Sequence, residues 1–134
     1  MASLNCGQAS FDLLILRGPT LEVIINNRQS AIPVDRQLDA ILDTGSEWSL
    51  IEDTLASAVF YLPVIDWQQI RTATGWGRRP VYMAQLTIPP LTYSKLHRFI
   101  GVNLGSDLAI LGRELLADFR LVYSGRTGSV ILEY

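Results

Sequence analysis

The sequence predicts a mostly-β barrel or sandwich. Short runs of strand-forming residues follow one another closely, split by Gly, Pro, Asn and Ser clusters. Only two stretches read as helical turns, each too short to organise a helical layer. The run Ile41-Leu42-Asp43-Thr44-Gly45 is echoed by Ile110-Leu111-Gly112, which suits a domain with internal pseudo-two-fold symmetry.

Along the chain, residues 1–10 are small and polar and are expected to be a loosely held end. A single domain is expected over residues 11–134. Phe11–Leu16 and Leu21–Ile25 read as strands of a hairpin turning at Arg17-Gly18-Pro19-Thr20. Asn26–Ser30 is a second turn, followed by strands at Ala31–Val34 and Gln37–Leu42. A short strand, Trp48–Ile51, leads into a helical turn over Asp53–Ala58 with Asp53 placed to cap it, and Pro63 closes that region. Gln69–Ala73 and Pro80–Ile88 read as strands around a glycine-framed hairpin tip, Thr74-Gly75-Trp76-Gly77-Arg78-Arg79. Pro89-Pro90 interrupts, and strands follow at Leu96–Val102 and Leu108–Leu111. Arg113–Ala117 is a short helix. Phe119–Tyr123 and Ser129–Tyr134 form a last hairpin.

Bulk composition narrows the function. The chain has 134 residues, 49% of them hydrophobic and 18% charged, which fits one globular domain able to bury a core. With 11 basic and 13 acidic residues and no basic run beyond Arg78-Arg79, nucleic-acid binding has no electrostatic support. Cys6 is the only cysteine, which excludes an intrachain disulfide and a multi-thiolate metal site. His97 is the only histidine, and no Gly-x-Ser-x-Gly nucleophile motif accompanies it. No stretch approaches the roughly 20 apolar residues of a membrane span, so a soluble cytoplasmic protein is expected.

The chemistry concentrates at Asp43-Thr44-Gly45-Ser46. Apolar strand residues deliver a carboxylate to a turn. Hydroxyls on either side can hydrogen-bond around it, and Gly45 leaves no side chain over it.

With the glycine-framed hairpin around Trp76 and Ile110-Leu111-Gly112-Arg113 followed by Leu115-Leu116, that motif resembles the retropepsin-like aspartic proteases. The resemblance runs, in order, over most of the chain. It implies a closed acid-protease β-barrel with a flap hairpin and one short C-terminal helix. It also implies a site that exists only in a homodimer, each chain giving one Asp43, with an extended peptide as substrate and no metal or organic cofactor. By resemblance, Thr44 hydrogen-bonds across the dimer, Gly45 offers its carbonyl to substrate, and Ser46 supports the outer carboxylate oxygen. Gly112 forms the second glycine turn. Arg113 braces the loop with Glu47 as its expected partner. Gly75, Trp76 and Gly77 form the flap, and Ile41 and Ile110 line the cleft with Trp76.

The sequence departs from the family at two places. Residues 1–10 do not resemble the N-terminal strand that closes retroviral dimers, so the dimer sheet is expected mainly from Ser129–Tyr134. Trp76 is bulky where retroviral flaps carry more glycine. An alternative function is a peptide- or protein-binding module of the same fold with little turnover, or a domain active only once a partner brings two copies together. Beside these, Asp39 reads as a solvated strand residue, Asp107 as a loop hydrogen-bonder, Arg78-Arg79 as solvated flap charges or a preference for acidic substrate residues, His97 as exposed, and Cys6 as a free thiol in a mobile end.

Overall fold

In a computed structural model, residues 2–28, 35–72 and 75–134 are described. The strand expected at Ala31–Val34 and the hairpin-tip residues Ala73 and Thr74 lie outside them. Strand β1 is Ser3–Asn5, helix α1 Phe11–Arg17, β2 Thr20–Asn26 and β3 Asp35–Leu42. Next come β4 (Leu50–Glu52), a π-helical turn over Leu55–Val59, β5 (Val64–Thr72) and β6 (Gly75–Ile88). A 3-10 turn at Pro89–Leu91 leads to β7 (Tyr93–Val102), β8 (Leu108–Leu111) and α2 (Arg113–Leu116). A last hairpin joins β9 (Arg120–Ser124) to β10 (Ser129–Glu133) through a 3-10 turn at Gly125–Thr127.

Six strands close into a barrel in the order β2-β3-β8-β4-β7-β6, with β6 returning to β2 through pairs such as Ile25 with Leu86. Closure leaves no open edge in this ring. Alternation places Leu21, Val23 and Ile25 of β2 inside, with Leu38, Ala40 and Leu42 of β3 and Ala109 and Leu111 of β8. Strands β3 and β8 run parallel, with Ile41 opposite Ile110 and Leu42 opposite Leu111. The two echoed sequences therefore lie side by side. Among the described residues, strand β5 pairs only with β6 and forms a hairpin with it. A separate sheet has the order β1-β10-β9.

Phe11–Leu16 is helix, not the first strand of a hairpin. The Ser10 hydroxyl accepts the Leu13 N–H at 3.3 Å, an N-cap worth about 1 kcal/mol. Gly18, at φ 70°, ends the helix with its N–H on the Leu14 carbonyl at 2.9 Å. A largely apolar run this short has no usable period to read. The caps at its two ends decide it.

Residues 2–8 pair with the last hairpin. Ser3 pairs with Glu133 and Asn5 with Ile131, the Cys6 N–H reaches the Val130 carbonyl at 2.7 Å, and Gln8 N–H the Gly128 carbonyl at 2.9 Å. These bonds use backbone atoms, so small polar side chains are no obstacle to the pairing. Cys6 is fully buried, and burial pushes its thiol up to about 11, which makes it a poor nucleophile at neutral pH.

Other expectations shift in detail. Residues 53–59 do turn helically, but Asp53 does not cap them through its side chain. It accepts the Tyr82 hydroxyl at 2.6 Å instead. Asp107 pairs with Arg36 at 3.5 Å at the surface. Asp39 is exposed, and exposed Arg78 lies over the Trp67 ring at 5.5 Å. Among the described residues no helix is long and apolar enough to cross a membrane.

His97 is half-buried, not exposed. Its Nε2 lies 2.6 Å from the hydroxyl of buried Tyr93, which also lies 2.9 Å from Asp118 Oδ2. The carboxylate can only accept, so the Tyr93 proton points to Asp118 and His97 Nε2 must carry the hydrogen it shares with Tyr93. Burial lowers the His97 pKa below its ordinary 6.5, against the opposing pull of Asp118 and Glu114. The Tyr93 hydrogen bond lowers that of Asp118 below 3.8, assisted by Lys95. Both shifts have one sign: the unfolded chain binds protons first, so stability is complete above about pH 6.5 and falls on acidification. A first decrease in Tm is expected as pH drops through about 6.5, and a second near 4. Melting curves of His97→Gln should lack the first and keep the second.

Candidate active site

The Asp43 loop hangs between the ends of β3 and β8. The Asp43 N–H donates to the Leu111 carbonyl at 3.0 Å, continuing the β3–β8 pairing by one residue. A tight turn follows, with Ser46 N–H on the Asp43 carbonyl at 3.1 Å. Within it the Gly45 N–H donates to Asp43 Oδ1 at 2.9 Å. The half-buried carboxylate thus has one oxygen fixed by backbone. Thr44 and Gly45 are exposed beside it. A side chain at Gly45 would begin 3.1 Å from that same oxygen, so glycine leaves the carboxylate room.

Arg113, in the second glycine turn, braces this loop through two bonds. The Arg113 guanidinium donates to the Thr44 carbonyl at 2.8 Å, and its backbone N–H to the Ser46 carbonyl at 2.8 Å. Glu47 is exposed and forms none of the ion pairs found among the described residues. The expected Arg113–Glu47 pair is replaced by a charge-assisted bond to backbone, which fixes the loop without needing an acid there. Ser46 also departs from expectation. Its hydroxyl donates to the Trp48 carbonyl at 2.6 Å, not to the carboxylate.

Sequence reasoning passed over two residues of this scaffold. Fully buried Ser49 accepts the Gly112 N–H on its hydroxyl at 3.0 Å, and its own N–H donates to Glu114 Oε1 at 2.8 Å. Glu114 stands in the first turn of α2, where an acid satisfies free N–H groups. That position was the available signal.

A groove of about 500 Å³ opens next to the loop. Gly45, Ser46, Glu47 and Trp48 form one side, Gln69, Ile70 and Arg71 of β5 with Trp76 of β6 another, and Leu50 and residues 102–104 the rest. Its apolar lining continues into a small core of Val81, Ile100 and Val102, against which Leu50, Ile70 and Leu104 pack. The buried Glu52 carboxylate holds the far rim by accepting Leu104 N–H at 2.6 Å and Gly105 N–H at 3.1 Å. A second hollow of about 400 Å³ lies at the β1–β2 flank, lined by Leu4, Leu21 and Pro89 among others, but the Asp43 loop does not border it.

Gly75, Trp76 and Gly77 are strand residues of β6, not a turn: Thr72 pairs with Gly75, Arg71 with Trp76 and Ile70 with Gly77. Gly75 has φ 118°, a conformation open to glycine. Trp76 is 69% exposed and borders the groove. Ile41 and Ile110 are half-buried partners across β3 and β8 and do not border it. The geometry therefore gathers Asp43, Thr44, Gly112 and Arg113 into one braced loop, and Gly45, Ser46, Glu47 and Trp76 around one groove.

The family model for retroviral aspartyl proteases matches residues 17–122, a span that includes the Asp43 loop, the β5–β6 hairpin and the second glycine turn. The chain belongs to that family. Among solved structures it is similar to a retropepsin-like aspartic protease from Rickettsia conorii. That match has 15% identity, 97% of this chain and 89% of the other covered, and a TM-score of 0.57. The EIAV protease complexed with the inhibitor HBY-793 is similar over 75% of this chain and 86% of its own, with 21% identity and a TM-score of 0.51. At such identities the likeness is one of fold, and the fold is retropepsin-like. No curated protein sequence matches significantly.

Proposed function

We propose that this protein is an aspartic endopeptidase whose site forms when two copies bring their Asp43 side chains together. The observation that carries the reading is the Asp43 loop itself. A carboxylate oriented by a backbone N–H stands in a loop whose following residues, Gly45 and Ser46, border an apolar groove, in a chain of a protease family. One chain supplies one such carboxylate, so the second must come from a copy.

Two carboxylates about 3 Å apart cannot both stay ionised, so they share one proton. The ionised Asp43 takes a proton from a water whose oxygen attacks the peptide carbonyl carbon. The protonated Asp43 of the other copy gives its proton to the carbonyl oxygen. As the tetrahedral diol collapses, the carbon–nitrogen bond breaks and the nitrogen leaves with a proton from the first carboxyl. The second carboxylate recovers its proton from the diol. Every proton in the cycle is moved by these two groups, so the chemistry needs no cofactor.

An extended substrate segment fits beside the β5–β6 hairpin, as strand addition requires. The groove walls favour apolar side chains, with Trp48 and Trp76 as broad flat contacts. Trp76→Ala is expected to raise KM about ten-fold, equivalent to ~1.4 kcal/mol, with kcat little changed. Steady-state kinetics on a cleaved peptide measures both.

The test of the reading is cleavage of a proteome-derived peptide library between about pH 4 and 7, with a bell-shaped pH–rate profile expected for a shared-proton pair. Cuts that require Asp43 support it. A stable dimer that cuts nothing and retains peptides unchanged would sink it and favour a binding module.

A further inference from the structure

Helix α1 buries the wrong side for an ordinary surface helix. Leu14 is the residue it sends into the core, while Phe11, Ile15 and Leu16 are 49%, 67% and 77% exposed. Phe11 and Ile15 are one turn apart and share a face, with Leu16 beside them. An amphipathic helix normally turns such a stripe inward.

The helix is fastened to the strand that leads into Asp43. Gly18, directly after it, packs within 3.8 Å of Ile41 as measured from where a Cβ would stand. The Pro19 carbonyl accepts the Leu42 N–H at 3.0 Å, one residue before the carboxylate. The Gln8 side-chain amide donates to the Gly18 carbonyl at 3.0 Å and to the Thr20 hydroxyl at 3.2 Å. At the other end, the Gly128 main chain sits close under the carbonyls of Gln8 and Ser10. The helix cannot swing away from the Asp43 loop without breaking these bonds.

An Asp43 dyad places a two-fold axis beside that loop. A stable interface buries about 800 Å² on each partner, a disc of roughly 16 Å radius if centred on the axis. Helix α1 is only about 10 Å long, at 1.5 Å per residue. It ends at Arg17, two residues before the Pro19 carbonyl bonded to the neighbour of Asp43, so its C-terminal turn with Ile15 and Leu16 lies nearest the axis, toward that footprint. Its residues up to Leu16 lie outside the span matched by the family model.

We propose that the Phe11–Ile15–Leu16 face of α1 is a docking surface for a second copy of this chain, and that it is an apolar anchor of the dimer that assembles the dyad. The inference rests on the protease reading for the position of the axis. Its own readout is association, not cleavage.

Sedimentation equilibrium of the full chain tests it, from nanomolar to high micromolar concentration. Wild type is compared with Ile15→Glu/Leu16→Glu and with Leu96→Glu, which alters a 60% exposed leucine on β7. Leu16→Gln is the milder second variant should the double one not fold, as judged by circular dichroism. The expected result is a wild-type dimer, a dissociation constant raised on the order of 100-fold in the double variant, and none of that rise in Leu96→Glu. A folded helix variant that associates like wild type overturns the proposal, as does a wild type that stays monomeric throughout. Dimerisation through α1 without any peptide cleavage would refute the protease reading and leave the docking surface standing. Asp43-dependent cleavage by a normally dimeric helix variant would do the reverse.

Discussion

Asp43→Asn is expected to lower peptide turnover at least about 10⁴-fold, because each dimer loses both the general base and the general acid, each worth 10²–10⁴. The fold should survive. Asp43 is half-buried and its Oδ1 is engaged by the Gly45 N–H, which an asparagine carbonyl oxygen can also accept. Unchanged melting with lost turnover is therefore the signature to seek. Mixing makes the test sharper. In a 1:1 mixture of freely exchanging wild-type and variant chains, only about a quarter of the dimers hold two carboxylates. If the dyad is the working unit, activity per total chain falls to about a quarter of the wild-type value, whereas independent chains would retain about half. A linear decline with the fraction of variant would contradict a shared site even if the variant alone were dead.

What could be read in advance follows a physical division. The barrel strands β2, β3 and β8 were legible because their alternating apolar residues face one core. The pairing of the two echoed sequences was foreshadowed by the Ile-Leu pair that β3 and β8 each carry into a glycine turn. Contacts made to backbone left no such trace. Arg113 reaches the Thr44 carbonyl and Ser46 the Trp48 carbonyl, and any residue supplies a carbonyl, so residue identities pointed instead to Glu47 and to the carboxylate. Strand β1 was hidden for the same reason, since Ser3 and Asn5 pair through main-chain atoms. Helix α1 was misread because five apolar residues among seven carry no usable period, and its identity lies in Ser10 and Gly18 at its ends. The hairpin was legible as a hairpin. Its glycines read as a turn, yet register makes them strand, with Gly75 opposite Thr72.

Gly112→Ala is expected to damage both stability and site. Its backbone, at φ −89° and ψ −177°, is extended and open to any residue, so conformation does not explain the glycine. Space does. A Cβ there would stand 2.4 Å from the Trp48 carbonyl oxygen and 2.5 Å from its carbon, both main-chain atoms that cannot rotate aside. Relief requires moving the 46–49 segment, which carries the Ser46–Trp48 bond and the Ser49 hydroxyl that receives the Gly112 N–H. Overpacking of this kind costs about 1–3 kcal/mol, which for a chain of this size lowers Tm by roughly 3–12 °C. A displacement near 1 Å passed on to Asp43 would cut turnover on the order of 100-fold. Gly77→Ala is the matching control, because the nearest atom to its Cβ would be Arg79 Nε, 4.0 Å away on a flexible side chain. Differential scanning calorimetry and cleavage assays on the two variants separate the cases. A Gly112→Ala protein with wild-type Tm would show that the Trp48 segment yields freely, and the close approach of the two turns would then no longer account for the placement of the carboxylate.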